Sequence, residues 1–227
     1  MTHSNHRLSS AESLLHDWVV FNTDARPIDP RKHERYMKIL AAHNPVCLAC
    51  RRMEADKTTR YRYVRGWEET RNSGKLPYST LVEIGDLRDI KWGSAVYSDE
   101  KDVDAVVAEL KEAELGISVV VSGLFGGVRS ACEAASIEPH TVNMSAGTHG
   151  RLELLPDTSI LEITSMCGHH MVSPYLVAHM TREVRTGHLN ILEASIELAR
   201  QCTCNFFNTE RCQNLLASIL RDERAST

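Results

Sequence analysis

The chain has 227 residues, 42% of them hydrophobic, and a formal net charge of −4 at pH 7. That length suffices for one well-buried domain or a core domain with a smaller appendage, no apolar run approaches the roughly 20 residues a membrane helix needs, and the acidic balance argues against a general nucleic-acid binder. The opening Met-Thr-His-Ser-Asn-His is polar with no secretory h-region after it, so seven cysteines fit reduced thiols in the cytoplasm better than a disulfide scaffold.

Residues 1 to about 90 read as a helical and irregular segment. Ser9 or Ser10 can cap a helix with Leu14, Leu15, Trp18 and Val19 on one face, and Asp29-Pro30 is a cap and first-turn signal for a helix through Leu40. A shorter helix is expected from Asn44-Pro45, and these N-terminal helices are candidates for docking a partner subunit or a second copy. Arg71-Asn-Ser-Gly-Lys75 is the most linker-like stretch. No internal repeat is visible.

From residue 91 the pattern changes to strand alternating with helix. Ser94–Tyr97 is a short strand, and Val103, Val106, Val107 and Leu110 then form a helical stripe ended by Gly116. Ile117–Val121 is a β-branched run of the kind found in strands buried on both faces. A helix at Val128–Ser136, strands at His140–Met144 and Ser159–Ser165, and helices from Ser173-Pro174 to Gly187, 190–201 and 209–221 complete the expectation. Such alternation predicts an α/β core with a largely parallel, possibly mixed sheet joined by crossover helices.

In such a sheet, ligands collect beyond the carboxyl ends of the strands. Ser122-Gly-Leu-Phe-Gly-Gly127, Ser145-Ala-Gly-Thr-His-Gly150 and Met166–Ser173 would all lie there. The glycine loop lacks the spacing of a dinucleotide or triphosphate site. Ser122, Gly126, Gly127 and Arg129 are instead candidates for holding an anionic small-molecule substrate at a helix N-terminus. His149, His169 and His170 are candidates for moving a proton beside Cys167.

The cysteines point most directly to chemistry. Cys202-Thr-Cys204 fits no helical stripe and falls between two helices, an unusual place for two thiols unless both face one centre. With Cys167 they offer three thiolates. Cys212, in the first turn of the last helix, either completes a closed set or belongs to the stripe it begins with Leu215, Leu216 and Ile219. Sulfur-rich coordination suits an iron–sulfur cluster, 4Fe-4S by preference, with zinc as the alternative. The expectation is an iron–sulfur enzyme, an oxidoreductase or a lyase or transferase, whose open iron activates a small substrate.

Two other readings remain open. Cys132 keeps register with Val128 and Ala135 and reads as core. Cys47-x2-Cys50, preceded by His43, is a partial zinc site, a redox pair or a pair without a ligand. Between Arg51 and Lys75 eight basic and four acidic residues surround Tyr61, Tyr63 and Trp67. That run suits a zinc-stabilised nucleic-acid-binding module or a half-buried strand with a cationic face.

Overall fold

The computed structural model describes residues 7–24, 28–53, 58–66, 90–145 and 147–225. Among the described residues there are five strands, β1 (Trp18–Asn22), β2 (Cys47–Met53), β3 (Thr58–Val64), β4 (Ile90–Tyr97) and β5 (Val119–Ser122). The helices are α1 (Ala11–Leu14), α2 (Pro30–Ala42), α3 (Glu100–Ala113), α4 (Phe125–Ala134), α5 (Thr158–Thr164), α6 (Pro174–Arg185), α7 (Ile191–Arg200) and α8 (Thr209–Ala225), with a 3-10 turn at Leu152–Leu154. The chain divides into a sheet unit, Leu14–His140, and a helical unit, Met1–Ser13 with Thr141–Thr227. All five strands, on both sides of residue 90, therefore fall in the sheet unit.

The sheet corrects the expectation of a largely parallel fold. Its order is β3-β2-β4-β1-β5, and every neighbouring pair is antiparallel. The crossover helices are there, but each carries the chain over an intervening strand. β1 connects through α2 to β2 with β4 between them, and β4 connects through α3 to β5 with β1 between them. The strands joined by each helix run the same way and never pair, which is the split β-α-β arrangement.

Several local expectations change for identifiable reasons. Trp18–Asn22 is a strand and not the end of a helix, because a fully buried Trp-Val-Val-Phe run fits a pleated interior better than a helical face. Helix α1 is left with four residues. The helix expected after Asn44-Pro45 is β2. His140–Met144 is exposed and irregular, and Ser159–Ser165 lies mostly in α5, packed on α6 and α8. Helices α2, α3, α6, α7 and α8 follow their capping signals. Asp29 Oδ1 accepts from the Arg31 N–H at 2.8 Å with Pro30 in the first turn, and Asp99 Oδ1 accepts from the Lys101 N–H at 2.9 Å. In α2 the buried Tyr36, Met37 and Leu40 pack on the sheet, so this helix spends its apolar face inside the unit.

Trp18 organises that core. Its ring is fully buried, its Nε1–H donates to the Leu15 carbonyl at 2.6 Å, and the turn from β5 into α4 closes over it. A Cβ at Gly123 or Gly127 would collide with the indole, and at Gly127 also with the Glu100 carboxylate, whereas one at Gly126 would meet nothing. The glycines expected to cradle a substrate thus serve packing. Ser122 ends β5 paired with Val19, and Arg129 Nε binds Glu133 Oε1 at 2.7 Å on the exposed face of α4.

A second buried feature is polar. Asn22 Oδ1 accepts from the Gly93 N–H at 2.7 Å and lies 3.5 Å from His33 Nε2, while His33 Nδ1 has no partner among the described residues. Burial pushes the His33 imidazole down to about 4 against the opposing charge of Asp24. Cys47 and Cys50, three positions apart in β2, take opposite faces of the sheet. Cys50 lies in the core with Leu48, and His43 Nε2 is bound to Glu109 Oε2 at 2.6 Å. These three residues do not form a zinc knuckle. Trp67 and the side chain of Tyr61 lie outside the described residues. Thr58–Val64 is the edge strand β3, with Tyr63 half-buried against the core.

Two predictions follow from this packing. Gly123→Ala and Gly127→Ala should each lower unfolding stability by about 1–3 kcal/mol, the usual cost of overpacking, while Gly126→Ala should be neutral or slightly stabilising in a denaturant titration. His33 binds a proton in the unfolded chain below its ordinary value of 6.5 but in the folded state only below about 4. Its contribution is therefore complete above pH 6.5 and is lost as pH falls towards 4, by up to about 3 kcal/mol. Denaturation of wild type and His33→Gln across that window should show the variant less stable at pH 7 and the gap closing towards pH 4.

Candidate metal centre

The helical unit is built from caps that fix where each helix starts. Ser173 Oγ accepts from the Tyr175 N–H at 3.2 Å to open α6, and Gly187, at φ +77°, lies just beyond its end. Asn190 and Glu193 form a reciprocal capping box at 2.8 Å in each direction to open α7. The Arg211 N–H donates to Asn208 Oδ1 at 2.9 Å at the start of α8. Helices α5 with α6 and α7 with α8 pack as neighbours, and α6 also packs on α7. The corner between α5 and α6 carries Cys167, His169 and His170. The corner between α7 and α8 carries Cys202 and Cys204.

Both corners are tight turns. The His170 N–H donates to the Cys167 carbonyl at 2.8 Å, and the Asn205 N–H donates to the Cys202 carbonyl at 3.1 Å. His170 and Asn205 have φ of +52° and +57°, a left-handed conformation that few side chains adopt without a structural reason. The reversal brings thiols from the two corners together. Cys202 donates a hydrogen bond to Cys167, and Cys204 Sγ lies 3.3 Å from His169 Nδ1.

The electrostatics separate the two buried thiols. The bond from Cys202, helped by the backbone amides of Met171 and His169 and the nearby His169 ring, holds the Cys167 thiol down to about 5 despite its burial. Cys202 is pushed well up by the same bond, by burial and by the neighbouring charges of Cys167 and Cys204. The resulting thiolate–thiol pair is one proton short of a dithiolate. Thiolates and not thiols are metal ligands, so as it stands the pair offers one ligand-competent sulfur and one that would first have to lose its proton.

The remaining sequence candidates divide. Cys212 is fully buried in the first turn of α8, and burial pushes its thiol up with Arg211 opposing. Cys132 sits half-buried on α4 with its thiol also raised by burial. His149 is exposed in the irregular stretch after residue 140, and the strand-end rim expected to bring it beside Cys167 is missing because no strand lies among the described residues after 140. His169 joins the thiols through its contact with Cys204, and both it and His170 are exposed.

A contribution missed at the sequence level comes from the N-terminal arm. The Leu8 N–H donates to Ser165 Oγ at 2.9 Å, two residues before Cys167, and Arg7 Nη2 donates to the Phe206 carbonyl at 2.5 Å, two residues after Cys204. Further along the arm, Ser9 Oγ bonds Glu162, and Arg211 Nε donates to Ser13 Oγ at 3.0 Å. The arm ties the outer sides of both corners, and its polar sequence carries no periodic signal that could have shown it.

The chain matches no protein-family model, no curated protein and no solved structure. No helix among the described residues is long and apolar enough to cross a membrane. Among the described residues no group of three or more His, Cys, Asp and Glu side chains is placed so that it could hold a metal ion. What the corners offer is a connected set of donors: Cys202 to Cys167, Cys204 to His169, and the His169 ring and amide beside Cys167. In donor chemistry this set fits a soft or borderline metal.

Proposed function

We propose that this protein carries a metal–thiolate centre on Cys167, Cys202 and Cys204 that fixes the helical unit. The observation that supports it is the direct contact of Cys167 with Cys202 across two corners far apart in the chain, with Cys204 and His169 alongside. Burying thiols in mutual contact, one of them held as a thiolate, costs stability unless the charge is used. A metal bound by these groups turns that cost into folding free energy.

Two occupants suit the donors. The close Cys167–Cys202 contact favours a single tetrahedral ion, zinc or iron, because ligands of one ion sit near one another, whereas ligands on different irons of a cluster stand further apart. An iron–sulfur cluster is the second reading, favoured by the sulfur-rich set, and it requires the two corners to open. An enzyme acting on a small substrate would need an open metal position, with His170 as the exposed group able to move a proton. All seven cysteines are free of disulfides, which suits a reducing compartment, and we place the protein in the cytoplasm.

Metal and sulfide analysis of the full chain purified without oxygen tests the proposal. The expected result is about one equivalent of zinc or iron without sulfide, or iron matched by sulfide if a cluster is held, and its loss in Cys167→Ser and Cys202→Ser. Wild-type protein free of zinc and iron, or the same metal content in both variants, would contradict it.

A further inference from the structure

The two corners are alike in more than their cysteines. Shifting the chain by the 35 residues that separate His169 from Cys204 superimposes one corner on the other, position by position. Cys167 then falls on Cys202, His169 on Cys204, and the left-handed His170 on the left-handed Asn205. Val172 and Phe207, both buried, coincide, as do the helix caps Ser173 and Asn208 and the fully buried Val177 and Cys212.

The backbone hydrogen bonds repeat at the same shift. The Met166 N–H donates to Ile163 and the Gln201 N–H to Leu198, both at 3.3 Å. Cys167 donates to Thr164 at 3.3 Å and Cys202 to Ala199 at 3.0 Å. The two turns close from His170 to Cys167 and from Asn205 to Cys202, and the following helices start with Val177 donating to Ser173 at 3.1 Å and Cys212 to Asn208 at 3.0 Å. Each corner is thus the same device: a helix end, a Cys-x-donor turn, a left-handed residue and a capped helix.

The contacts between the corners follow the symmetry this implies. Cys167 touches Cys202, its own equivalent, and His169 touches Cys204, its own equivalent. Residues that meet their equivalents lie beside a twofold axis. As placed, the four side chains do not form a group that holds a metal ion, so the ion would have to draw the two facing pairs together into a tetrahedron. Metal–sulfur and metal–nitrogen bonds of roughly 2.3 and 2.0 Å give a sulfur–nitrogen edge of roughly 3.5 Å, close to the 3.3 Å between Cys204 Sγ and His169 Nδ1.

We infer that Cys167, His169, Cys202 and Cys204 are the four ligands of one metal ion on a local pseudo-twofold axis between the two helix corners, with His169 and not Cys212 completing the set. This rests on the metal–thiolate reading above and deepens it. Cys212 takes the place that Val177 holds in the first corner, a core position at the start of a helix. The centre is closed, with three sulfurs and one nitrogen, so its role is to hold the helices together and it leaves no position for a substrate.

The symmetry makes a test that a merely structural role for His169 would not satisfy. Metal-free full-length chain is titrated with Co²⁺, and the intensity of the thiolate-to-cobalt absorption and the affinity are read. Wild type should bind one equivalent with a three-thiolate spectrum. His169→Ala should lose affinity by more than the roughly 10- to 100-fold that loss of an outer-shell partner costs. His169→Cys should bind with stronger thiolate absorption, and Cys204→His with weaker. The exchange double variant, His169→Cys with Cys204→His, should return to the wild-type intensity, because it only mirrors the site, and Cys212→Val should change neither spectrum nor affinity. Retained affinity in His169→Ala, loss of binding in Cys212→Val, or a double variant that folds but does not bind would overturn the four-ligand set while leaving the metal reading in place. Wild-type chain that takes up no Co²⁺ and is isolated with neither zinc nor iron would remove the metal reading itself.

Discussion

At the meeting of its two corners the helical unit buries the Cys167 and Cys202 thiols in mutual contact, which favours charge on Cys167 and opposes it on Cys202. Cys167 and Cys202 come from corners separated by two helices, and they meet only because each corner reverses through a left-handed residue. That pairing is expensive for a small helical unit. The unit buries Ile163, Met166, Ile196, Leu198, Phe206, Phe207 and Leu216, and the Cys167 and Cys202 sulfurs are buried with them. Buried ionic groups of this kind are destabilising when unpaired and are seldom retained for packing alone. The proposed metal centre would resolve the conflict by replacing the shared proton with a cation bound to both sulfurs.

Caps, turns and the N-terminal arm fix where these side chains lie. Helix caps on Ser173, Asn190 and Asn208 set the helix starts, and the turns set the direction in which the sulfurs point. Backbone amides of His169 and Met171 face the Cys167 sulfur. The arm carrying Arg7 and Leu8 secures the outer side of each corner. Preorganisation at this level is what a small metal site needs, since ligands must be held to within a fraction of an ångström. The sheet unit is stabilised differently, around Trp18 and the glycines that admit its ring, and its buried thiols, Cys47 and Cys50, point to opposite faces of one strand.

Some capped helices were legible in the sequence because caps are local signals: Asp29-Pro30 and Ser173-Pro174 each marked a true helix start. The position of Cys202-Thr-Cys204 between two helices was legible too. Sheet direction was not, since a crossover helix looks the same whether its strands pair or straddle a third. Short apolar runs such as Trp18–Phe21 fit both a helical stripe and a buried strand, and only the pairing partners decide between them. The correspondence of the two corners was hidden because its shared elements are backbone conformations, caps and burial. Only the cysteine is identical among the matched functional positions, and His169 opposite Cys204 is not recognisable until the turns superimpose.

X-ray absorption at the edge of whichever metal the full-length protein retains tests the central claim most directly. A first shell of three sulfurs near 2.3 Å and one nitrogen near 2.0 Å, roughly the distances of thiolate and imidazole ligands, with no metal–metal scattering, is the result expected. A shell of oxygen and nitrogen without sulfur, or protein that holds no metal at all, would contradict it.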